Sequence, residues 1–384
     1  MSRKYIMQNQ ISNISPNHPI TSSPSEARLP WLDFASGIMI LWMIIYHALQ
    51  ASWGYEVRDL WGITDASLLP KGIHAFINSE GKLEVLNPCV VFLWLHFFMP
   101  WFFYKSGQFF KKNSITDNLK KDSRKLLKAF LIWSTVGYVF FLVFGLIDGS
   151  LNFKSATYSI VRNLLLNGQI PINGPCWFLL SLFGVRQVAN ILLPQRGSKC
   201  FIFGLMGVVL ISYFFAFFAN RFNNDLLPYW IGNGIAGLCY FSLGYALKDR
   251  ESNSCVIVLS VLVTVSFGVF GFPMVNMFYN KLFSGNFYLL WIPVSLCCII
   301  TFNALCKLLN EFVRVKIIEN IGRNALTILV THCLIYLTIA KVFSYCTIEL
   351  SHVVMFSAII LSYILILPVC CVLKNNIVQK EKLL

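Results

Sequence analysis

The sequence predicts an all-α integral membrane protein, with about ten transmembrane helices in one bundle and both termini in the cytoplasm. Of its 384 residues, 57% are hydrophobic and 12% are charged, whereas roughly a quarter of the residues in a soluble domain are charged. Long apolar runs recur from Phe34 to Leu373, which leaves room for about ten spans of about 20 residues each. Residues 202–218 are apolar on every face, as in a helix surrounded by lipid or by other helices, and this excludes the alternating pattern of a membrane β-barrel.

The apolar runs define the segments that we expect to span the membrane. Spans are predicted near residues 34–52, 89–110, 127–147, 175–193, 200–219, 231–247, 255–271, 287–309, 325–345 and 353–373. Residues 1–26 are predicted to form a polar cytoplasmic tail, because they contain no apolar core or cleavage site of a signal peptide. Residues 27–374 would form the membrane domain, and residues 375–384 a C-terminal cytoplasmic tail.

The distribution of basic residues predicts the orientation of the bundle. With both termini on one side, the segments of that side carry twenty Lys and Arg residues, and those of the other side carry seven. The positive-inside rule then places both termini in the cytoplasm. The net charge of +14 is spread over short loops and forms no stripe, so we expect no nucleic-acid partner and assign the charge to topology and membrane lipid.

The cysteines predict neither a metal site nor a disulfide framework. Nearly all twelve lie within apolar runs, and none forms a Cys-x-x-Cys pair. We therefore expect buried thiols and no bound metal.

Ionisable side chains inside a membrane are costly, so each one is a candidate functional residue. His47 follows Tyr46 near the end of the first apolar run, about 21 Å along a helix from Asp33 and toward the outer side. Its imidazole could act as a general base, or it could be an interfacial histidine with a satisfied ring nitrogen. Ser36 lies eleven residues earlier, which places it on the same helix face as His47.

His332 and Lys105 also lie within predicted spans, and each has two possible roles. His332 could belong to the site, or it could form hydrogen bonds that join helices. Lys105 precedes Ser106 near the cytoplasmic end of the second span. It could extend to the membrane interface, or it could attract a phosphate-bearing ligand.

A basic segment and a tryptophan lie near the ends of predicted spans. The run from Lys111 to Lys128 has seven basic residues, Arg124 among them, and it favours cytoplasmic topology, contact with anionic lipid or docking of a polyanionic donor such as a coenzyme. Trp177 begins the fourth span on the outer side, where it could belong to the aromatic belt or could stack on a sugar.

Several stretches together resemble the acyltransferase-3 family of bacterial integral membrane acyltransferases, especially its sugar O-acetylase members. They occur in the family's order, from residue 28 to residue 332. The matching stretches are Arg28, then Trp31-Leu32-Asp33 and Tyr46-His47; Met99-Pro100-Trp101-Phe102-Phe103 with Ser106-Gly107; Arg124-Lys125-Leu126-Leu127; Gly174-Pro175-Cys176-Trp177-Phe178-Leu179; and Ile321-Gly322-Arg323-Asn324-Ala325-Leu326 with Thr331-His332.

The resemblance implies a ten-helix domain of the bacterial inner membrane. Such a domain transfers an acyl group, commonly acetyl from acetyl-CoA, to a hydroxyl of a glycan or lipid-linked saccharide that faces the outer compartment. It also implies that His47 is the essential histidine. Residues that would bind donor or acceptor are Asp33, Ser36, Lys105, Ser106, Arg124, Trp177 and His332.

Two positions depart from the family's pattern. The histidine often found two residues before the proline of Met99-Pro100 is Phe98 here, and His96 lies two residues further back. The other departure is in the first helix. The family usually has Arg or Lys eleven residues before its histidine, and this chain has Ser36 there. We hypothesise that Lys105 supplies the missing positive charge. Asp33 lies too far from His47 to orient it, so we expect Asp33 to anchor or cap the first helix.

Two other functions fit the same composition. A transporter or flippase for a lipid-linked glycan precursor would also be a bundle with a few buried polar groups. The sequence disfavours it, since it contains no inverted repeat and few acidic residues at mid-membrane positions. The second alternative is a non-catalytic relative, which Ser36 in place of a basic residue would suit.

Overall fold

The structure is a computed structural model, and it describes residues 29–53, 97–149, 152–168, 173–221, 228–248, 252–270, 288–345, 354–366 and 368. Both predicted tails, and residues 89–96 of the second predicted span, lie outside these ranges. Within the described residues the chain is helical and has no β-strand. The helices are α1 (Pro30–Trp53), α2 (Phe98–Gln108), α3 (Ile115–Asp122), α4 (Lys128–Ile147), α5 (Phe153–Asn167), α6 (Trp177–Leu192), α7 (Phe201–Arg221), α8 (Tyr229–Ala246), α9 (Ser254–Phe270), α10 (Tyr288–Phe312), α11 (Lys316–Arg323), α12 (Ala325–Tyr345) and α13 (Val354–Ile366).

The all-helical prediction is confirmed for the described part of the chain. Four stretches there are long and apolar enough to cross a membrane by length and composition: Ile115–Ile147, Gly174–Leu192, Ile292–Phe312 and Ala325–Phe343. Shorter apolar helices cover Pro30–Ile45, Phe201–Phe215, Ser254–Ser266 and Val354–Ile366. Their exposed leucine, isoleucine, valine and phenylalanine side chains suit contact with lipid, because lipid tails are as apolar as these side chains.

Short helical elements lie between the apolar helices. A π-helical turn, Ser123–Leu127, joins α3 to α4 without a break, and a 3-10 helix, Gly174–Cys176, leads into α6. Helix α3 begins at Ser114, whose hydroxyl accepts a hydrogen bond from the backbone N–H of Asp117 at 3.1 Å. This is an N-cap that satisfies one of the donors left unpaired at a helix start.

Helices α2 and α8 pack at very close range, because glycine replaces a side chain on both sides of their contact. A Cβ at Gly107 would overlap the carbonyl oxygen of Phe241, and a Cβ at Gly244 would overlap that of Tyr104. Small residues allow helix backbones to approach in this way, and close packing supplies much of the association energy within a membrane. The contact buries Tyr240 and Phe241 completely.

Helix α1 makes a similar close contact with α11. A Cβ at Gly37 would overlap the carbonyl oxygen of Ile318, and a Cβ at Gly322 would overlap that of Asp33. The start of α1 is therefore held against the segment that precedes α12. This contact fixes the position of the helix that carries Ser36 and His47.

Helix α3 is attached to α6 by a buried ion pair. Arg186 Nε donates to Asp122 Oδ2 at 2.9 Å, and Gln187 donates to the same oxygen at 3.0 Å. Asp122 is buried, so its charge is tolerated because both groups are placed to compensate it. The basic run from Lys111 to Lys128 therefore passes through a segment that is fixed to the bundle.

The ends of α4 and α12 are also joined. Lys341 donates a hydrogen bond to Asp148 at 2.8 Å, at the residue that directly follows α4. This hydrogen bond lowers the pKa of the Asp148 carboxyl. Both side chains are partly exposed, so the pair contributes little to the free energy of unfolding.

Candidate active site

Helix α1 carries the two polar positions around which the candidate active site is built. Ser36 and His47 are eleven residues apart, about 16 Å along the helix axis, and their positions on α1 share one face. Ser36 is fully buried and His47 is half-buried. We call the region around the first residue the Ser36 end and the region around the second the His47 end.

A lysine from α2 occupies the Ser36 end. The ammonium of Lys105 donates a hydrogen bond to the hydroxyl oxygen of Ser36, and that hydroxyl donates to the carbonyl of Leu32. The Lys105 nitrogen also lies 5.5 Å from the centre of the Trp101 ring, within the range of a cation–π interaction. The structure therefore brings a positive charge to the position at which this sequence has serine.

Trp101 is itself held in place by α10. Its indole nitrogen donates to Asn303 Oδ1 at 2.8 Å, and the side chain has no exposed surface. A fully buried indole has few alternative positions in a packed interior. Since Trp101 also faces Lys105, α10 contributes indirectly to the position of the lysine.

Asp33 joins α1 to α11 through an ion pair. Arg323, the last residue of α11, donates from Nε to Asp33 Oδ2 at 3.1 Å. The same guanidinium donates to Glu319 at 3.4 Å and to Asn320 at 3.3 Å. Asp33 thus belongs to a network that fixes α1 to α11, at the glycine contact between these helices.

Replacing Asp33 by alanine is expected to lower the free energy of unfolding by about 1–2 kcal/mol, because Arg323 loses a charged partner in a partly buried position. Thermal unfolding in detergent measures the loss, and the Arg323→Gln variant should show a similar one. An unchanged Tm in Asp33→Ala would contradict this structural role.

Two aromatic rings from α12 lie against His47 at the other end. The centres of the His47 and His332 rings are 5.0 Å apart, with 37° between the ring planes. Tyr336 lies one helical turn after His332, and its ring stacks on His47 at 6.2 Å with 10° between the planes. The structure therefore brings together the two histidines that the sequence analysis singled out in α1 and α12.

The other predicted site residues lie apart from these two ends or make no contact that assigns a role. Ser106 is half-buried on α2 beside Lys105, and Arg124 is exposed on the π-helical turn. Trp177 is buried at the start of α6, edge-on to Phe178 at 6.2 Å between ring centres. The 3-10 helix that precedes Trp177 packs against α12, so this segment borders the helix that carries His332.

Sequence reasoning missed Tyr336, Asn303 and Arg323 as residues that position the site. Tyr336 could have been found, since it lies four residues after His332 and hence on the same helix face. The sequence holds no signal that pairs Asn303 with Trp101 or Arg323 with Asp33, because those partners are about 200 and 290 residues apart.

A cation at one end of a helix and an imidazole at the other can serve a reaction between an anionic donor and a hydroxyl acceptor. The lysine would attract phosphate groups, and the imidazole would accept the proton of an attacking hydroxyl. Among the described residues, no group of three or more His, Cys, Asp or Glu side chains could hold a metal ion.

Comparison with known proteins gives one match. The family model described as an acyltransferase domain, that of the acyltransferase-3 family, matches residues 29–374. No curated protein and no solved structure matches the chain.

Proposed function

Since this chain belongs to the acyltransferase-3 family, we propose that it is a membrane-embedded O-acyltransferase. It moves an acyl group, acetyl in the simplest case, from a cytoplasmic acyl-CoA to a hydroxyl of a cell-surface glycan or lipid-linked saccharide. The chain crosses a bacterial inner membrane about ten times, with both termini in the cytoplasm.

The observation that carries the proposal is the contact between Lys105 and Ser36. It supplies a positive charge at the place where the family usually has Arg or Lys, although the residue there is serine. The contact counts against a non-catalytic relative, because the charge is present and only its position in the sequence has changed. His47 lies about 16 Å away on the same helix face, so an extended donor could reach from the charge toward the imidazole.

The proposed reaction uses the distance along α1 between Ser36 and His47. The phosphates of the coenzyme lie near Lys105 and the basic run that follows α2, and the thioester extends along α1 toward His47. His47 accepts the proton of the acceptor hydroxyl while the hydroxyl oxygen attacks the thioester carbon. The carbon–sulfur bond breaks, and the leaving thiolate of the coenzyme takes the proton from His47, which restores the neutral imidazole.

The predicted topology agrees with this arrangement. The Ser36 end follows the cytoplasmic N-terminal tail and the His47 end lies toward the outer face, so donor and acceptor approach from opposite sides. An interior path between the two ends would remove the need to export a charged coenzyme. Transfer then requires only that the acyl group reaches His47.

The experiment compares surface glycans from cells that carry the wild-type gene with those from a deletion strain. We expect alkali-releasable acetate to be present in the first and absent in the second. Inverted membrane vesicles supplied with acetyl-CoA labelled in the acetyl group should incorporate label into the glycan or lipid-linked fraction. Equal ester content in both strains together with no label transfer would overturn the proposal. Counterflow of labelled lipid-linked glycan would then favour a flippase.

Replacing Lys105 by alanine is expected to raise the Michaelis constant for acyl-CoA by about tenfold, because one charge-assisted contact to a phosphate is lost. The rate at saturating donor should change less than twofold. Lys105→Arg should keep most of the donor affinity, since it keeps the charge.

The matched control is Lys154→Ala, which removes an exposed lysine from α5, outside the proposed donor path. The Michaelis constant of this control should equal that of the wild-type protein. Unchanged donor affinity in Lys105→Ala would refute the assignment of Lys105.

A further inference from the structure

We propose that His332 is a positioning residue, which holds the His47 imidazole in the orientation needed to accept the proton of the attacking hydroxyl. Tyr336 assists by stacking its ring on the His47 ring. This inference rests on the proposed function, in which His47 is the base. Helix α12 thereby contributes His332 and Tyr336 to the site, in addition to Ser36 and His47 on α1.

The first support is the geometry of the three rings. His332 and Tyr336 lie four residues apart on α12, so both project from one helix face toward α1. The ring centres of His332 and Tyr336 lie 5.0 Å and 6.2 Å from that of His47. These are contact distances for aromatic rings, and the His47 ring therefore meets α12 through two side chains.

The second support is that His332 is held rigidly. Its Nδ1 atom lies 2.7 Å from the carbonyl oxygen of Leu329 and 3.3 Å from that of Ile328. A carbonyl can only accept, so Nδ1 must carry the proton and donate it, which leaves Nε2 with its lone pair. Tyr363 on α13 donates to the backbone carbonyl of His332 at 2.6 Å, and this fixes the helix at the same point.

The third support is burial. His332 has no exposed surface, whereas His47 is half-buried. An acceptor therefore cannot touch His332 directly, whereas part of the His47 side chain is accessible. Any effect of His332 on the reaction must pass through its neighbour, as in sites where a second residue orients the base.

Another neighbour of His332 offers an alternative partner. The Sγ atom of Cys333 lies 3.4 Å from His332 Nε2, within reach of a hydrogen bond between thiol and imidazole. Tyr336 and Tyr363 are further titratable groups in contact with the two histidines. Cys333 must therefore be tested separately from His47.

The experiment measures steady-state kinetics of acetyl transfer by the full chain in proteoliposomes. The variants are His332→Leu, which removes both nitrogens, and His332→Gln, whose amide reaches the position of Nε2. We expect His332→Leu to lower kcat by about 10–100-fold with both Michaelis constants unchanged, because misplacing a reacting group costs rate and leaves binding intact. His332→Gln should retain kcat within about fivefold, since its amide occupies the place of Nε2 and keeps a polar side chain packed beside His47.

The control variant is Cys333→Ala, which should keep kcat within about twofold of the wild-type value if His332 acts through His47. A loss in Cys333→Ala as large as that in His332→Leu would overturn the proposal, because His332 would then act on the thiol. Wild-type kcat in His332→Leu, or a loss confined to the Michaelis constants, would overturn it as well.

A second measurement needs no activity, so it separates this inference from the proposed function. Diethyl pyrocarbonate modifies imidazoles, and peptide mass spectrometry reports the rate at His47. A ring released from its contacts should react at least about threefold faster in His332→Leu than in His332→Gln. Equal rates in both variants, at equal Tm, would refute the positioning role even if acyl transfer is detected. Absence of transfer by the wild-type protein would count against the proposed function alone.

Discussion

Replacing His47 by alanine is expected to lower kcat for acyl transfer by about 10²–10⁴-fold, the range that a positioned general base contributes. The physical reason is that the attacking hydroxyl would have to lose its proton to water, in a part of the protein that is half-buried. Transfer of labelled acetyl from acetyl-CoA to the acceptor fraction of proteoliposomes measures the effect. The Michaelis constant for the donor should stay within about twofold, because the proposed arrangement places the coenzyme phosphates near Lys105 at the other end of α1.

Chemical rescue distinguishes a base from a packing residue. In His47→Gly, imidazole added to the medium should restore part of the lost rate, since it can occupy the space of the missing ring and accept the proton. Lys154→Ala, at an exposed position of α5, is the matched control and should transfer acetyl at the wild-type rate. A His47→Ala protein with wild-type kcat would exclude His47 as the base, whereas the family membership would stand.

Replacing Gly244 by valine is expected to destabilise the protein by about 3 kcal/mol or more, at or above the upper end of the range for overpacked interiors. A Cβ at this position would overlap the carbonyl oxygen of Tyr104, and a backbone atom cannot move aside as the end of a flexible side chain can. Helices α2 and α8 would have to separate, and Lys105 would move with α2. The variant should therefore lose both stability and donor affinity.

Buried thiols make the loss of stability measurable. Cys176, Cys239 and Cys306 have no exposed surface, so a thiol-reactive fluorophore reports unfolding in detergent as they become accessible. The matched control is Gly207→Ala on α7, where an added Cβ would meet no atom within 4 Å. Its Tm should equal that of the wild-type protein or exceed it slightly, because alanine favours a helix over glycine. Equal Tm values for Gly244→Val and the wild-type protein would refute the close contact between α2 and α8.

The two largest effects have different origins. Loss of His47 removes a reacting group and leaves the bundle intact, whereas valine at Gly244 disturbs the bundle and reaches the site only through Lys105. A measurement of both kcat and Tm on each variant separates the two causes. The Asp33→Ala variant should resemble Gly244→Val with a smaller loss of stability, because it loosens α1 from α11.

Much of the fold could be predicted from the sequence, because the bilayer restricts what an apolar chain can form. A run such as residues 325–345 must satisfy its backbone hydrogen bonds internally, and in an apolar stretch of that length the α-helix does so. The structure has α12 at Ala325–Tyr345 and α1 at Pro30–Trp53, close to the predicted segments. The short helices α3 and α11 were not predicted, since neither carries the long apolar run that identifies a spanning helix.

Within the candidate site, the sequence by itself determined what lies along one helix. The eleven-residue spacing of Ser36 and His47 places them on one face because the α-helix has a fixed rotation per residue. The same rule places Tyr336 above His332. Which residue types could carry charge or accept a proton also followed from the sequence alone, since few ionisable side chains lie within the apolar runs.

The tertiary structure alone decided which helices face one another. It placed Lys105 on Ser36, His332 beside His47 and Arg323 on Asp33, and these pairs are tens to hundreds of residues apart in the chain. Contacts of this kind depend on where glycines let helices approach, as at Gly37 and Gly322, and on how all neighbouring side chains pack together. Helical periodicity is a local property of the chain, whereas the partner of each face is a property of the whole bundle.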